Sequence, residues 1–170
     1  SLRSPARRPI KPSRSRGSGR ARPARCATPG LRPKSANTSL VNTVDDIFAT
    51  AIVQDGTRAQ KEKWLPRLAS GEITGCLALT EPDAGSDATS LKTTALKTEE
   101  SNGQFLINGT KRYITNAPIA DLFTVFARTD QSDLSYKGIS AFLISKDVPG
   151  ISAGPEHKKM GQSGSPVSEV

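Results

Sequence analysis

Eight consecutive residues, Thr80-Glu81-Pro82-Asp83-Ala84-Gly85-Ser86-Asp87, hold three carboxylates, two hydroxyls and a glycine. Successive backbone N–H groups around Gly85, Ser86 and Asp87 could converge on an anion such as a phosphate, because glycine permits turns that a side chain forbids. Glu81, Asp83 and Asp87 would repel that anion if they faced it. An anion site therefore requires the carboxylates to point away and leaves the binding to the backbone and the Ser86 hydroxyl. The same spacing also describes an ordinary Asp/Gly turn, the commoner meaning of such a string. Other chemistries find less material. His157 is the only histidine, which disfavours a histidine-based triad or a zinc cluster. Cys26 and Cys76 are too few and too differently placed for a disulfide framework or a metal site, and they suit a reducing compartment.

The neighbouring segments read as a scaffold for this stretch. Ile73, Leu77 and Leu79 alternate with Thr74, Ala78 and Thr80, a period near two that predicts a half-buried strand ending at Thr80, with Pro82 stopping it. Upstream, Val44, Ile47, Phe48, Ala51 and Ile52 fall at helical spacing, with Asn42 or Thr43 as N-cap and Gly56 as the stop. Thr57-Arg58-Ala59-Gln60 has capping-box spacing and opens a second helix. Trp64 and Leu65 should pin that helix to the core, Pro66 should restart it, and Gly71 should end it.

Downstream the pattern is β. Asn102-Gly103 and Asn108-Gly109 are hairpin signals. Leu122 to Ala127 and Ile139 to Ile144 are apolar on both alternating faces and predict buried strands, and Pro149-Gly150 turns the chain again. Short strands at close spacing favour an antiparallel barrel or sandwich over a parallel sheet. The expected fold class is α+β: two short helices, then an antiparallel β-barrel or sandwich, preceded by a disordered basic tail. The expected divisions are 1–36, 37–72 and 73–170.

Charge is unevenly placed along the 170 residues. Residues 1–44 hold eleven Lys and Arg and no acid, so the net charge of +8 belongs to the tail and the remainder nets −3. Residues 1–36 contain six prolines and no apolar periodicity, too little to offset the entropy of ordering, and are expected to be disordered. Three readings of them compete. A mitochondrial transit peptide suits the Arg- and Ser-rich, acid-free composition, although Pro5, Pro9, Pro12 and Gly17 to Gly19 oppose its amphipathic helix. A basic arm such as Arg14 to Arg22 could bind nucleic acid without sequence preference, but no aromatic residue interleaves it to stack on bases. The third reading is a segment foreign to the folded part, since Arg, Pro, Ala and Gly are what GC-rich codons encode in any frame. The chain opens at Ser1 and its only methionine is Met160, so it is expected not to be an intact translation product. No apolar run approaches the ~18 residues of a membrane span.

The string from Thr80 to Asp87, after its aliphatic strand, resembles the signature of the acyl-CoA dehydrogenases, flavoenzymes that desaturate acyl-CoA thioesters between the α and β carbons. The resemblance extends upstream through Gly56-Thr57, Gln60 to Pro66 and Leu68 to Glu72. Downstream it takes in Asn108 to Asn116, Lys137 to Leu143, Pro149-Gly150 and Lys159-Met160-Gly161. It covers roughly residues 56–170 in the family's order and spacing.

The resemblance implies a fragment: residues 37–72 as the end of the family's N-terminal helical domain, and 73–170 as most of its middle β-domain. It implies FAD as cofactor, with Leu77 to Ser86 along one side of it. Leu79 and Thr80 would meet the flavin ring, and Gly85 and Ser86 the pyrophosphate region, with Ser86 also touching acyl-CoA. Tyr113, Ile114 and Thr115 match the family's aromatic-Ile-Thr triplet. Tyr113 stands where tryptophan or phenylalanine is common and still offers a flat face, and Thr115 would place a hydroxyl near flavin N5. Read from the residues alone, Tyr113 and Thr115 alternate on a strand after a tight hairpin, which ordinary sheet packing also explains. The family's catalytic base comes from its C-terminal helical domain, so Glu81 reads as a structural carboxylate holding the turn. No catalytic residue and no metal ligand is assigned. The implied partners are an acyl-CoA substrate and, for the full-length enzyme, an electron-transferring flavoprotein and further copies of itself, with neither membrane nor nucleic acid expected. The compartment would be cytoplasmic in a bacterium or the mitochondrial matrix otherwise. The alternative function is a basic-armed protein that binds nucleic acid or acidic partners through residues 1–36.

Overall fold

The computed structural model describes residues 38–98 and 104–170, with side chains in the first helix described from Ile47 onward. The expectations for residues 1–36, for the Asn102-Gly103 turn and for the Val44 side chain fall outside the described residues.

Helix α1 spans Thr38–Asp55, so Asn42 and Thr43 lie within it and neither is its N-cap. Phe48 and Ile52 from its apolar stripe are 0 % and 2 % exposed, and Gly56 follows its last residue. Helix α2 spans Arg58–Ala69 and opens with the expected capping box: Thr57 accepts from the Gln60 N–H, and the Gln60 side chain accepts from the Thr57 N–H. Pro66 does not restart this helix, which runs unbroken through it. Its end is set by Gly71 at φ +69°, where the Gly71 N–H donates to Leu68 O and the Glu72 N–H to Arg67 O, closing the last turn through a left-handed residue.

Among the described residues seven strands follow: β1 Gly75–Ala78, β2 Thr94–Lys97, β3 Phe105–Asn108, β4 Ile114–Thr115, β5 Leu122–Arg128, β6 Ile139–Ser145 and β7 Val167–Ser168. β5 is the hub. β6 lies antiparallel along its whole length, from Leu122 opposite Ser145 to Arg128 opposite Ile139. On its other edge β5 pairs in parallel with β1, Gly75 beside Leu122 through Ala78 beside Val125, and then with β2 at Thr94 and Arg128. β2 and β3 form an antiparallel hairpin. β4 and β7 make a separate two-stranded antiparallel sheet.

The expected antiparallel barrel or sandwich is thus corrected to a mixed sheet, parallel where β5 meets β1 and β2, with no closure among the described residues. The physical reason is the long excursion between β1 and β5. Once β2, β3 and β4 intervene, the chain can return and run in the same direction as β1, as any parallel pair requires. Asn108-Gly109 is not a hairpin turn either: β3 ends at Asn108 and the next strand, β4, belongs to the other sheet. Gly109 is required by proximity, since a Cβ there would lie 2.2 Å from Thr93 Oγ1.

The sheet is covered on both sides around β1 and β5, whereas Leu96, Phe105 and Leu106 of the β2–β3 hairpin are exposed and β6, expected to be buried, is only half-buried with Ala141 exposed. Ile73 and Leu122 pack with Phe48, Ile52 and Leu68 of the helices, with Trp64 and Leu65 half-buried at the margin. Cys76, Ala78, Phe123 and Val125 face the opposite way, onto Ile114, Ala117 and Ala120. No described helix is long and apolar enough to cross a membrane.

Candidate functional site

β1 stops at Ala78, so Leu79 and Thr80 lie just beyond the strand rather than at its end. Leu77, Leu79 and Thr80 are half-buried, whereas Cys76 and Ala78 are buried. A tight turn follows, closed by the Glu81 N–H donating to Ala84 O and the Ala84 N–H to Glu81 O.

Glu81 is the fixed point of this turn. Its carboxylate, 6 % exposed, accepts from the Lys92 N–H at 2.6 Å, the Thr93 N–H at 2.9 Å, the Thr93 hydroxyl and Lys111 Nζ at 2.8 Å. Burial favours the protonated acid, but the hydrogen bonds from Lys111, Thr93 and the backbone of Lys92 and Thr93 outweigh it and hold the carboxyl at about 2. For Lys111, 2 % exposed, burial pushes the ammonium down while Glu81 opposes that fall. Glu81 is thus an ion-paired carboxylate with four donors.

Lys111 also reaches across to the strand end, donating from Nζ to Leu79 O at 3.1 Å. The next residue repeats the tie, the Arg112 N–H donating to Thr80 O at 2.8 Å. The segment Leu79-Thr80-Glu81 is thereby laced to Lys111-Arg112, and Tyr113, Ile114 and Thr115 follow directly. These bonds bring the two predicted clusters together. Lys111 itself escaped the sequence reading, because a lysine between Thr110 and Arg112 looks like a solvated face. The available signal was Glu81, an acid on an apolar flank with no local cation.

The predicted residues are placed unequally. Tyr113 is 59 % exposed and sits at φ +59°, outside the strand and in a conformation a bulky side chain rarely adopts. Its ring has the Arg112 guanidinium 4.9 Å from its centroid and the His157 ring 5.7 Å away at 85°. Ile114 is 2 % exposed in the core, so its side chain serves packing and only its backbone is left for a ligand. Thr115 is half-buried in β4 opposite Val167. Gly85 and Ser86 are exposed. Gly85 does not occupy the left-handed region, a correction to the expected special backbone, and nothing lies within 4 Å of an added Cβ. Its fold makes no demand for glycine, while its surroundings leave room for a group to approach the main chain.

Each of the three carboxylates has a partner. Glu81 is tied inward, Asp83 receives Lys92 Nζ at 2.9 Å, and Asp87 accepts from the Thr89 N–H and hydroxyl. Lys92 draws the Asp83 carboxyl below its usual value, and Thr89 does the same for Asp87. Among the described residues, Gly85 and Ser86 make no hydrogen bond of their own, so their donors are unspent. Burial pushes the Cys76 thiol up to about 12, which leaves it an inert core group. No cluster of His, Cys, Asp and Glu suited to a metal occurs among the described residues. An open hollow of about 510 Å³ lies beyond Asp87, lined by Lys92, Arg128 and Leu134 among others, and includes none of the predicted residues.

Residues 76–170 match the model of the acyl-CoA dehydrogenase middle domain, and residues 31–72 that of the acyl-CoA dehydrogenase N-terminal domain. The chain belongs to the acyl-CoA dehydrogenase family. It is 44 % identical over 120 residues to mitochondrial isovaleryl-CoA dehydrogenase of Pongo abelii, an alignment covering 70 % of this chain and 28 % of that protein. Butyryl-CoA dehydrogenase from Megasphaera elsdenii superimposes with a TM-score of 0.71 at 39 % identity, over 79 % of this chain and 35 % of that one. A glutaryl-CoA dehydrogenase from Mycobacterium smegmatis in complex with FADH2 gives 0.63 at 41 % identity, over 71 % and 29 %. The chain thus spans about a third or less of the length of each of these relatives.

Proposed function

We propose that this chain supplies the β-domain part of an FAD and acyl-CoA site in an enzyme that desaturates acyl-CoA thioesters between the α and β carbons. The observation that carries this reading is the lacing of Leu79-Thr80-Glu81 to Lys111-Arg112. It sets an exposed aromatic ring, two threonine hydroxyls and an unspent glycine-serine turn on one connected framework. A flavin dinucleotide asks for these groups: a flat cover, polar contacts at the ring edge, and backbone donors for its pyrophosphate. When bound, FAD supplies a two-electron acceptor for hydride. Leu77 and Leu79 would give apolar contact and Tyr113 a ring face. Thr80 and Thr115 would offer hydroxyls, with the Ile114 backbone beside them. The Gly85 and Ser86 amides would meet the pyrophosphate, with the Ser86 hydroxyl available to the acyl-CoA.

The α-proton needs a base. Glu81 is ion-paired, Asp83 is held by Lys92 and Asp87 by Thr89, so none of these carboxylates is assigned that role. On this reading residues 37–72 and 73–170 are portions of the helical and β domains of a larger enzyme. Its further copies, its electron-transferring flavoprotein partner and its bacterial cytoplasmic or mitochondrial setting are parts of the same proposal. No observation favours the alternative of a nucleic-acid-binding arm, which rests on residues outside the described set.

The test is anaerobic mixing of the FAD-saturated chain with a panel of acyl-CoA thioesters while flavin absorbance is followed. The expected result is a saturable spectral perturbation without reduction by these 170 residues. The absence of any perturbation across the panel, or turnover-rate bleaching, would contradict the proposal.

A further inference from the structure

Tyr113 presents a conformational problem. A tyrosine at φ +59° is held in a left-handed geometry that is unfavourable for any residue with a Cβ, and residues kept so persist only where their surroundings over-determine them. The surroundings here do so on both sides. Before Tyr113, the Lys111 N–H donates to Val170 O and Lys111 O accepts from the Val170 N–H, while the Arg112 N–H is bound to Thr80 O. The Lys111 ammonium is locked between Leu79 O and the Glu81 carboxylate with 2 % of the residue exposed. After Tyr113, Ile114 is sunk in the core. The chain between these anchors has one residue in which to turn, and it turns at Tyr113, leaving the ring exposed.

We infer that Lys111 is a positioning residue: its buried ammonium, held by Leu79 and Glu81, keeps Tyr113 in its left-handed conformation and so fixes where the ring stands for a ligand. The inference rests on the FAD reading above for the identity of that ligand. Lys111 touches neither ring nor ligand and acts through the backbone of its neighbours. Methionine at position 111 would preserve an unbranched stem but lose all three N–H donors, leaving Leu79 O and Glu81 without them. The anchor before Tyr113 then loosens while β5 and β6, which Lys111 does not bond, remain.

The experiment measures amide hydrogen exchange at Arg112 and at Val125 of β5, together with FAD affinity by flavin fluorescence, in the wild-type chain, in Lys111→Met and in Lys111→Met/Glu81→Gln. The double variant removes both charges and guards against an unpaired buried carboxylate unfolding the single one. The expected result is exchange at Arg112 accelerated at least tenfold more than at Val125, whose acceleration follows only the loss of global stability, and FAD bound at least tenfold more weakly. Unchanged exchange at Arg112 in a folded variant overturns the inference, as does acceleration of equal size at Val125, which would make the pair a general stabiliser. Loosened Arg112 with undiminished FAD affinity overturns it too. If the wild-type chain takes up no FAD, the cofactor reading falls and the role toward that ligand falls with it. The exchange ratio still reports by itself whether Lys111 holds the segment.

Discussion

Lys111 Nζ lies 2.8 Å from Glu81 Oε1, with the two side chains 2 % and 5 % exposed. A pair this shielded has given up most of its hydration, so each charge depends on the other. Lys111→Met should destabilise the chain by about 3–5 kcal/mol, because it strands a buried carboxylate. Lys111→Met/Glu81→Gln should cost less than the two single changes added together. Denaturant unfolding of the four proteins in the cycle measures this.

Acid should undo the same centre. The Glu81 carboxyl is lowered from 4.5 to about 2, so the folded state holds its proton less tightly than the unfolded chain does. The resulting stability is present above pH 4.5 and is lost as pH falls from there toward 2. The shift corresponds to roughly 3 kcal/mol. Thermal midpoints recorded from pH 6 to pH 2 should fall through that window, and Glu81→Gln should flatten the part of the fall that belongs to this residue.

Backbone strain at Tyr113 is open to a direct comparison. Tyr113→Ala removes the ring but keeps a Cβ at φ +59°, whereas Tyr113→Gly also relieves the conformation. The left-handed penalty is ~1–2 kcal/mol, and glycine gives back part of it through its freer unfolded state. Tyr113→Gly should therefore be the more stable of the two by up to about 1 kcal/mol. Equal stabilities would show that the positive φ stores nothing.

Gly109→Ala should be strongly felt, because its Cβ would meet Thr93 Oγ1 at 2.2 Å and Thr93 Cα at 2.8 Å. Thr93 is also a donor to Glu81, so relief by moving Thr93 disturbs the buried pair. A loss of about 1–3 kcal/mol is expected from such overpacking, read as a lowered thermal midpoint.

Local signals in the sequence reached local structure. Thr57 and Gln60 announced their capping box, the two-faced apolar runs located β5 and β6, and Asn102-Gly103 lay between two strands that do pair. What escaped was non-local. Gly75 pairing with Leu122 in parallel leaves no mark in either segment, since hairpin residues report only antiparallel neighbours. The site behaved likewise. The sequence placed carboxylates beside Gly85, but their partners Lys92, Thr89 and Lys111 are not marked in it. Of these, Lys111 is thirty residues from Glu81. Nor does a pattern of side chains disclose that Tyr113 adopts a positive φ, because that follows from anchors on either side of it.

The most direct test of the account concerns Gly85, where the fold tolerates a side chain and the proposed ligand does not. Nothing lies within 4 Å of a Cβ added there and its φ is ordinary, so Gly85→Ala should leave stability within about 0.5 kcal/mol of wild type. FAD titration of the two proteins, followed by flavin absorbance and fluorescence, should show saturable binding to the wild-type chain and at least tenfold weaker binding to Gly85→Ala at an unchanged thermal midpoint. Equal affinity in the two proteins, or no saturable binding by the wild-type chain, would contradict the claim that this turn receives the cofactor.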